Sequence, residues 1–441
     1  MNTAKFHQVQ LASLVALVFL FTVPVKAQRV FTLSLVPTNQ NAVAVLWKAQ
    51  SATPIGDRFL VPQFQVERSA DLKNWVPISG VITGAVSQKL AFTDPQGGLG
   101  FYRVSSTIYQ EYAQLDNVIL DNGQLQFADF FGAELFNASL QNATLTSASF
   151  AAADLRNANL TGSDLTGANL FGVEAFAAIF DSGSMAGANA GFGDFEAASL
   201  FNVDLTGSDF SSAVLSGADL DFATFNGMKL DANTVIDPQP KLVWQVVNFG
   251  ATNAVLTNQD LSFARLNNAS FNGARLNNTL FTESFLNNDD LRGADMTGAA
   301  LNFVDLHGAQ MDANTIVEPR TRLVWAILNQ NYGVGRDLHS TNLSSTIISG
   351  ANLFGSSLSN ALLSASICEQ VNFGNATLAK ANCINCDFFS AMLTNAILTN
   401  ANFSGSDFTD ASLFNSNTNG AIFTGARFFN TIMPNGTIRN F

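Results

Sequence analysis

The stretch Ala153–Leu170, ADLRNANLTGSDLTGANL, decides the fold, because it repeats a unit of small, polar, Leu, polar, polar with no insertion or deletion. Every fifth residue from Leu115 to Leu230 gives 24 positions, of which 15 are Leu and six are Phe, with Ala175, Met185 and Ala190 as the others. Two residues before each large one sits a small one, as at Ala128, Ala133, Ala138, Ala143 and Ala148. A five-residue period fits neither a helix nor simple strand alternation, so the segment is a repeat architecture in which large and small positions face inward and the rest face solvent. One Leu or Phe per unit buries about 1.5–3 kcal/mol of apolar side chain. A lone coil would not fold, because each needs a neighbour to share its core and its backbone bonds.

The period resumes twice more. LDANTVIDPQPKLVWQVVN (Leu230–Asn248) is echoed 81 residues later by MDANTIVEPRTRLVWAILN (Met311–Asn329), and both interrupt the register. In each, Pro precedes an apolar run and Gly follows, which predicts a short helix. The chain therefore divides into residues 1–27, 28–106, a linker or cap at 107–112, a first block of 24 units at 113–232, an insert at 233–253, a second block of 12 units at 254–313, an insert at 314–335, and a third block of 21 units at 336–441. The inserts are expected to pack on the coil wall or close an end. The tail Pro434–Phe441 looks like a weak cap, which leaves end-to-end self-association open.

At the N-terminus Lys5 precedes the apolar run Leu11–Val23, and Val25-Lys26-Ala27 offers a small-residue cleavage site. This reads as an export signal, the alternative being a short retained anchor, and places the mature protein in a periplasm or outside the cell. Strand-like runs at Val30–Val36, Ala42–Trp47, Phe64–Arg68, Lys89–Thr93 and Phe101–Val104, separated by turn residues, predict a small β-sandwich with Trp47 and Trp75 in its core.

The units ADL at Ala153–Leu155, ANL at Ala158–Leu160 and Ala168–Leu170, ADL at Ala218–Leu220, ANL at Ala351–Leu353 and ANF at Ala401–Phe403 resemble the pentapeptide repeat family. That resemblance implies an all-β fold, a right-handed quadrilateral parallel β-helix with four units to a coil, here with two short helical inserts and an N-terminal β-sandwich. The pieces Val45–Trp47, Gln65–Trp75 and Phe92–Val104 are similar to fibronectin type III-like domains of exported bacterial proteins, which serve as spacers or binding modules.

The net charge of −13 is uneven: residues 113–232 carry 15 acidic residues against Arg156 and Lys229. With four units to a coil, residues 20 apart stack on one side, which puts Glu134, Asp154, Glu174 and Asp194 in a column about 5 Å apart. Four such carboxylates would repel, raising their pKa values or attracting cations such as calcium, and a structural reading of these acids stands beside the cation-binding one. One residue after a centre, Phe131, Phe136, Phe171, Phe176 and Phe201 face outward as a partner surface or a packing surface.

Nucleophile elbows, phosphate loops and dinucleotide fingerprints do not occur, and His307 and His339 lie in different blocks, so an enzyme is not expected. Cys368 and Cys383 fall on large inward positions and Cys386 on a small one, which favours buried structural thiols over a redox or zinc site, with a disulfide left open. The expected function is that of a non-catalytic structural or interaction scaffold, presenting acidic and aromatic faces to a protein or cation without nucleic acid. The family resemblance also implies an alternative, a DNA-mimic inhibitor of an enzyme such as gyrase, which the export signal disfavours.

Overall fold

The structure is a computed structural model that describes residues 115–440 in full and, as backbone only, seven strands between residues 31 and 106. The signal segment 1–27 and the linker 107–112 lie outside the described residues, as do the side chains of Trp47 and Trp75. The chain divides into two compact units, Met1–Pro240 and Lys241–Phe441.

In the first unit, β1 (Phe31–Thr38), β2 (Ala42–Ala49) and β6 (Lys89–Asp94) form one antiparallel sheet, with β2 in the centre. In a second sheet β3 (Gln63–Ser69) pairs antiparallel with β7 (Phe101–Ser106), with β4 (Val76–Pro77) and with β5 (Ile82–Thr83).

From Leu115 the pentad register governs the backbone. Parallel bridges join residues 20 apart, as in Glu134–Asp154–Glu174–Asp194, so four units close one coil and the molecule is a β-helix solenoid here. Each unit repeats the same bonds. Leu155 N–H donates to the Glu174 carbonyl of the next coil at 2.6 Å, and Asp154 N–H donates to the Ala133 carbonyl of the previous one at 2.9 Å. The corner between units is a β-turn closed by Ala158 N–H on the Leu155 carbonyl at 2.9 Å. Its third residue, two after the centre, has positive φ, which explains why Asn and Gly recur there, as at Asn157 and Gly162.

Most large and small inward positions are buried, the large ones from Leu125 to Phe225 in the first block among them. Several Ser and Thr at the small position donate to backbone carbonyls, as Ser208 Oγ does to Leu205 O at 2.7 Å and Ser366 Oγ to Leu343 O at 2.6 Å, whereas the buried Ser163 and Ser416 hydroxyls have no such partner. Asp289 is the outlier at this position. Its carboxyl is fully buried, accepts the Ala269 amide at 2.8 Å through one oxygen, and has no partner for the other.

The DANT segments do not end the coil; they add one residue to a corner. Bridges Val214–Val235 and Asp295–Ile316 are spaced 21 residues apart instead of 20. Asp231 Oδ1 accepts the Asn233 and Thr234 amides at 3.0 and 2.9 Å while Thr234 Oγ1 reaches the Phe210 carbonyl at 3.1 Å, and Asp312 and Thr315 repeat the arrangement. In the first of these corners β8 (Val214–Leu215) pairs in parallel with β9 (Val235–Ile236). Helices follow, α1 at Pro238–Phe249 and α2 at Pro319–Asn329, each opening on a Pro whose missing amide costs nothing in a first turn.

Two boundaries differ from the sequence expectation. The register restarts one unit earlier in each block, at Ala251 and Gly333, which occupy centre positions despite their size. Gly333 is required there, since a Cβ would stand 2.3 Å from Leu353 Cδ2. Within the second unit α2 packs into the third block: Val324 and Ile327 join the core cluster that runs from Leu338 to Phe428. The tail is also more ordered than a weak cap. Strands β10 (Thr431–Ile432) and β11 (Ile438–Arg439) pair as an antiparallel hairpin, and the Arg439 guanidinium lies 4.3 Å from the centre of the Phe428 ring.

Candidate interaction surface

Outward residues one before each centre have a local task that the sequence alone did not show. Asp or Asn at this position turns its side-chain oxygen onto the amide two residues ahead, bracing the corner: Asp129 to Phe131 at 3.0 Å, Asp194 to Glu196 at 3.0 Å, Asp204 to Thr206 at 3.0 Å, Asn352 to Phe354 at 3.2 Å. Short acceptors that bond the backbone two residues on are the ordinary chemistry of such turns. Much of the acidity is thus structural.

Glu134, Asp154, Glu174 and Asp194 do stack on one side of the first block, on successive rungs. A basic side chain lies within this row. Arg156, two residues after Asp154, projects into the row: its Nε donates to Asp154 Oδ1 at 2.9 Å, its Nη2 to Oδ2 at 2.6 Å, and its Nε lies 3.7 Å from Glu174 Oε2. The guanidinium beside it holds the Asp154 carboxyl below its ordinary value, opposite to the upward shift expected of stacked carboxylates. Among the described residues no group of three or more His, Cys, Asp or Glu side chains converges as metal ligands.

Arg156 also approaches the Phe136 ring, 6.0 Å from its centre, so the acidic row and part of the aromatic row share a side. The expected aromatic residues divide by environment. Phe131, Phe171, Phe176 and Phe201 are exposed, and Phe136 is half-buried. Phe171 meets Phe192 at 5.2 Å between ring centres, and Phe201 meets Phe222 at 5.5 Å. Both pairs share one geometry, joining the residue one after a centre to the residue two after the centre in the next coil.

Phe192 and Phe222 therefore sit at the positive-φ corner position, each with φ of 58°. A bulky side chain there is a backbone outlier. The sequence signal was present, since Phe stands where Asn and Gly otherwise recur, but it required knowing the corner's conformation. Phe192 is 63% exposed even so. Phe171 also lies over Gly191, whose Cβ would touch its ring at 3.6 Å, and Phe354 covers Gly374 in the same way in the third block.

His307 and the cysteines engage the coil itself. His307 Nδ1 bonds Asp305 Oδ1, and its Nε2 donates to the Ser349 carbonyl at 2.8 Å, which leaves no free nitrogen for acid–base chemistry. Cys368, Cys383 and Cys386 are all free and buried. Burial pushes the Cys368 and Cys383 thiols well up, away from the thiolate that reaction would need. Cys386 Sγ contacts the Leu363 carbonyl at 2.8 Å, the role that Ser366 and Ser406 hydroxyls play one coil to either side.

Comparison with known proteins agrees with this geometry. Residues 133–172, 194–231, 252–288 and 366–405 match the pentapeptide repeats family in eight copies. No curated protein matches the chain. Solved structures similar to it include HetL, a pentapeptide repeat protein involved in heterocyst differentiation regulation in Nostoc sp. strain PCC 7120, at 19% identity over 74% of this chain and 94% of that one, with a TM-score of 0.17. A second is Rfr23 of the cyanobacterium Cyanothece 51142, at 29% identity over 25% of this chain and 65% of that one, with a TM-score of 0.16. A third is QnrB1, a plasmid-mediated fluoroquinolone resistance protein, at 13% identity over 71% of this chain and 90% of that one, with a TM-score of 0.16. The matched segments lie within the region that carries the five-residue corners and the 20-residue rungs.

Proposed function

We propose that this protein is an exported, non-catalytic interaction scaffold whose first repeat block recognises a basic protein partner. The observation that carries the reading is Phe192, kept at a positive-φ corner and largely exposed, two residues before Asp194 and beside Phe171. Within the fold the ring gains only its contact with Phe171 against the strain of that corner, so a contact outside the coil is a reason to retain it. The neighbouring side carries Glu134, Glu174, Asp194 and Glu196, and a partner rich in Arg or Lys would meet both carboxylates and ring faces. Metal binding is the weaker reading, because Arg156 already neutralises the middle of the acidic row.

Export rests on the N-terminal basic residue, apolar run and Val25-Lys26-Ala27. The paired strands between residues 31 and 106 suit a spacer sandwich ahead of the repeats. The alternative, a mimic of duplex DNA acting on an enzyme such as gyrase, draws on the acidic first block but needs a cytoplasmic protein. Cell fractionation with N-terminal sequencing decides between them: recovery outside the cytoplasm, beginning after residue 27, is expected, and cytoplasmic retention would overturn export. Capture of extracytoplasmic proteins by the full chain should yield a basic partner whose binding weakens with salt and is lost in Phe171→Ala/Phe192→Ala.

A further inference from the structure

In the second unit, the second block passes to the third through α2, and side chains carry bonds across this joint. In regular coils the amide two residues after a centre donates to the carbonyl one residue after the centre above, as Asn288 does to His307 at 2.8 Å. At this joint the Gly308 amide and the Ser349 carbonyl are each bonded to a side chain. Gly308 N–H donates to Asn329 Oδ1 at 2.6 Å, and the Ser349 carbonyl accepts from His307 Nε2 at 2.8 Å. The other ring nitrogen of His307 bonds Asp305 Oδ1, which also accepts the His307 amide at 3.1 Å.

Both acceptors on the ring, a carboxylate and a backbone carbonyl, require a hydrogen on the nitrogen that faces them. A neutral imidazole carries only one. We propose that His307 is a proton-operated latch across the joint between the second and third repeat blocks, closed when the ring is doubly protonated and opened by loss of one proton.

The surrounding charges support a closed latch near neutral pH. Asp305 faces the ring from its own coil and is steadied by Asn287 Nδ2 at 2.9 Å. On α2, Arg320 donates to the Ser344 carbonyl of the same coil edge, and Arg322 is turned to the Asp312 and Thr315 carbonyls. Farther into the third block, Glu369, 20 residues beyond Ser349, shares a hydrogen bond with Asp387. The hydrogen bond to Asp305 raises the His307 pKa against the opposing effect of burial. Stability from the latch is thus fully present below the value of free histidine, about 6.5, and is lost as pH rises through the raised folded value. Among the described residues few bonds besides this one cross the joint: Phe303 N–H reaches the Ser345 carbonyl at 2.9 Å, and Arg320 reaches Ser344.

Hydrogen exchange of the full chain, followed by mass spectrometry from pH 5.5 to 9 and corrected for intrinsic rates, tests this. Peptides spanning 301–310 and 343–353 should lose about tenfold to a hundredfold protection as pH rises, the loss of one bond to a charged group, while a first-block peptide at 160–170 stays constant. His307→Asn should show the high-pH level throughout. Asp305→Asn, which keeps the acceptor oxygen but removes the charge, should move the wild-type midpoint to lower pH, a change that a purely structural contact would not produce. Constant joint protection in the wild type, or an unchanged pH dependence in His307→Asn, would overturn the proposal.

Discussion

Arg156 binds both oxygens of Asp154, at 2.9 and 2.6 Å, and in doing so sets a guanidinium within the row of carboxylates. Replacing it with Gln should empty that row. Calcium is expected to raise the melting temperature of Arg156→Gln and to leave the wild type unchanged. An equal calcium response in both proteins would show that the row binds the ion despite its internal cation.

Asp289 should be a liability at ordinary pH. Burial pushes its carboxyl up to about 9, whereas an unfolded Asp ionises near pH 3.9. Between those values the unfolded chain is charged and the folded one is not, so stability falls as pH rises across that window. Asp289→Ser, which copies the satisfied Ser284 one unit earlier, should raise stability at pH 8 by about 1–3 kcal/mol and flatten the alkaline slope in calorimetric melts.

The cysteines separate into two kinds. Cys386→Ser should be nearly neutral, since a hydroxyl there continues the carbonyl bonds made by Ser366 and Ser406. Cys368→Ser places a hydroxyl at a large apolar position and should cost about 1–3 kcal/mol by chemical denaturation. Equal costs would refute the distinction.

Phe192→Asn tests whether this aromatic serves the fold. Relief of the positive-φ strain, about 1–2 kcal/mol, should offset the lost ring contact with Phe171, about 0.5–1.5 kcal/mol. The melting temperature is expected not to fall. A clear drop would make the residue a structural staple and remove the main support for a binding role.

Gly333→Ala should destabilise the second unit by about 1–3 kcal/mol through overpacking against Leu353. Thermal melting checks the size of the effect.

How far the sequence could be read follows from the range of each interaction. Leu115 through Leu230 announce the coil because large residues at a fixed period have only one inward arrangement. The same counting placed Glu134 over Asp154 and the cysteines in the core. It could not show that Arg156 bends back two residues to reach Asp154, since period assigns a side and not a side-chain direction. Ala251 and Gly333 escaped because a small residue at a centre carries no apolar signal. The His307–Ser349 bond spans an insert whose contribution to register cannot be counted from the chain.

The corner acceptors have a wider consequence. Asn159 holds the Thr161 amide at 3.0 Å just as Asp164 holds that of Thr166 at 3.0 Å, so an amide and a carboxylate are interchangeable to the backbone. Surface charge is therefore a dial that evolution or an engineer can turn, corner by corner, from strongly anionic to neutral while the coil stays the same. Proteins built on this unit can diverge in electrostatic character without any divergence in shape.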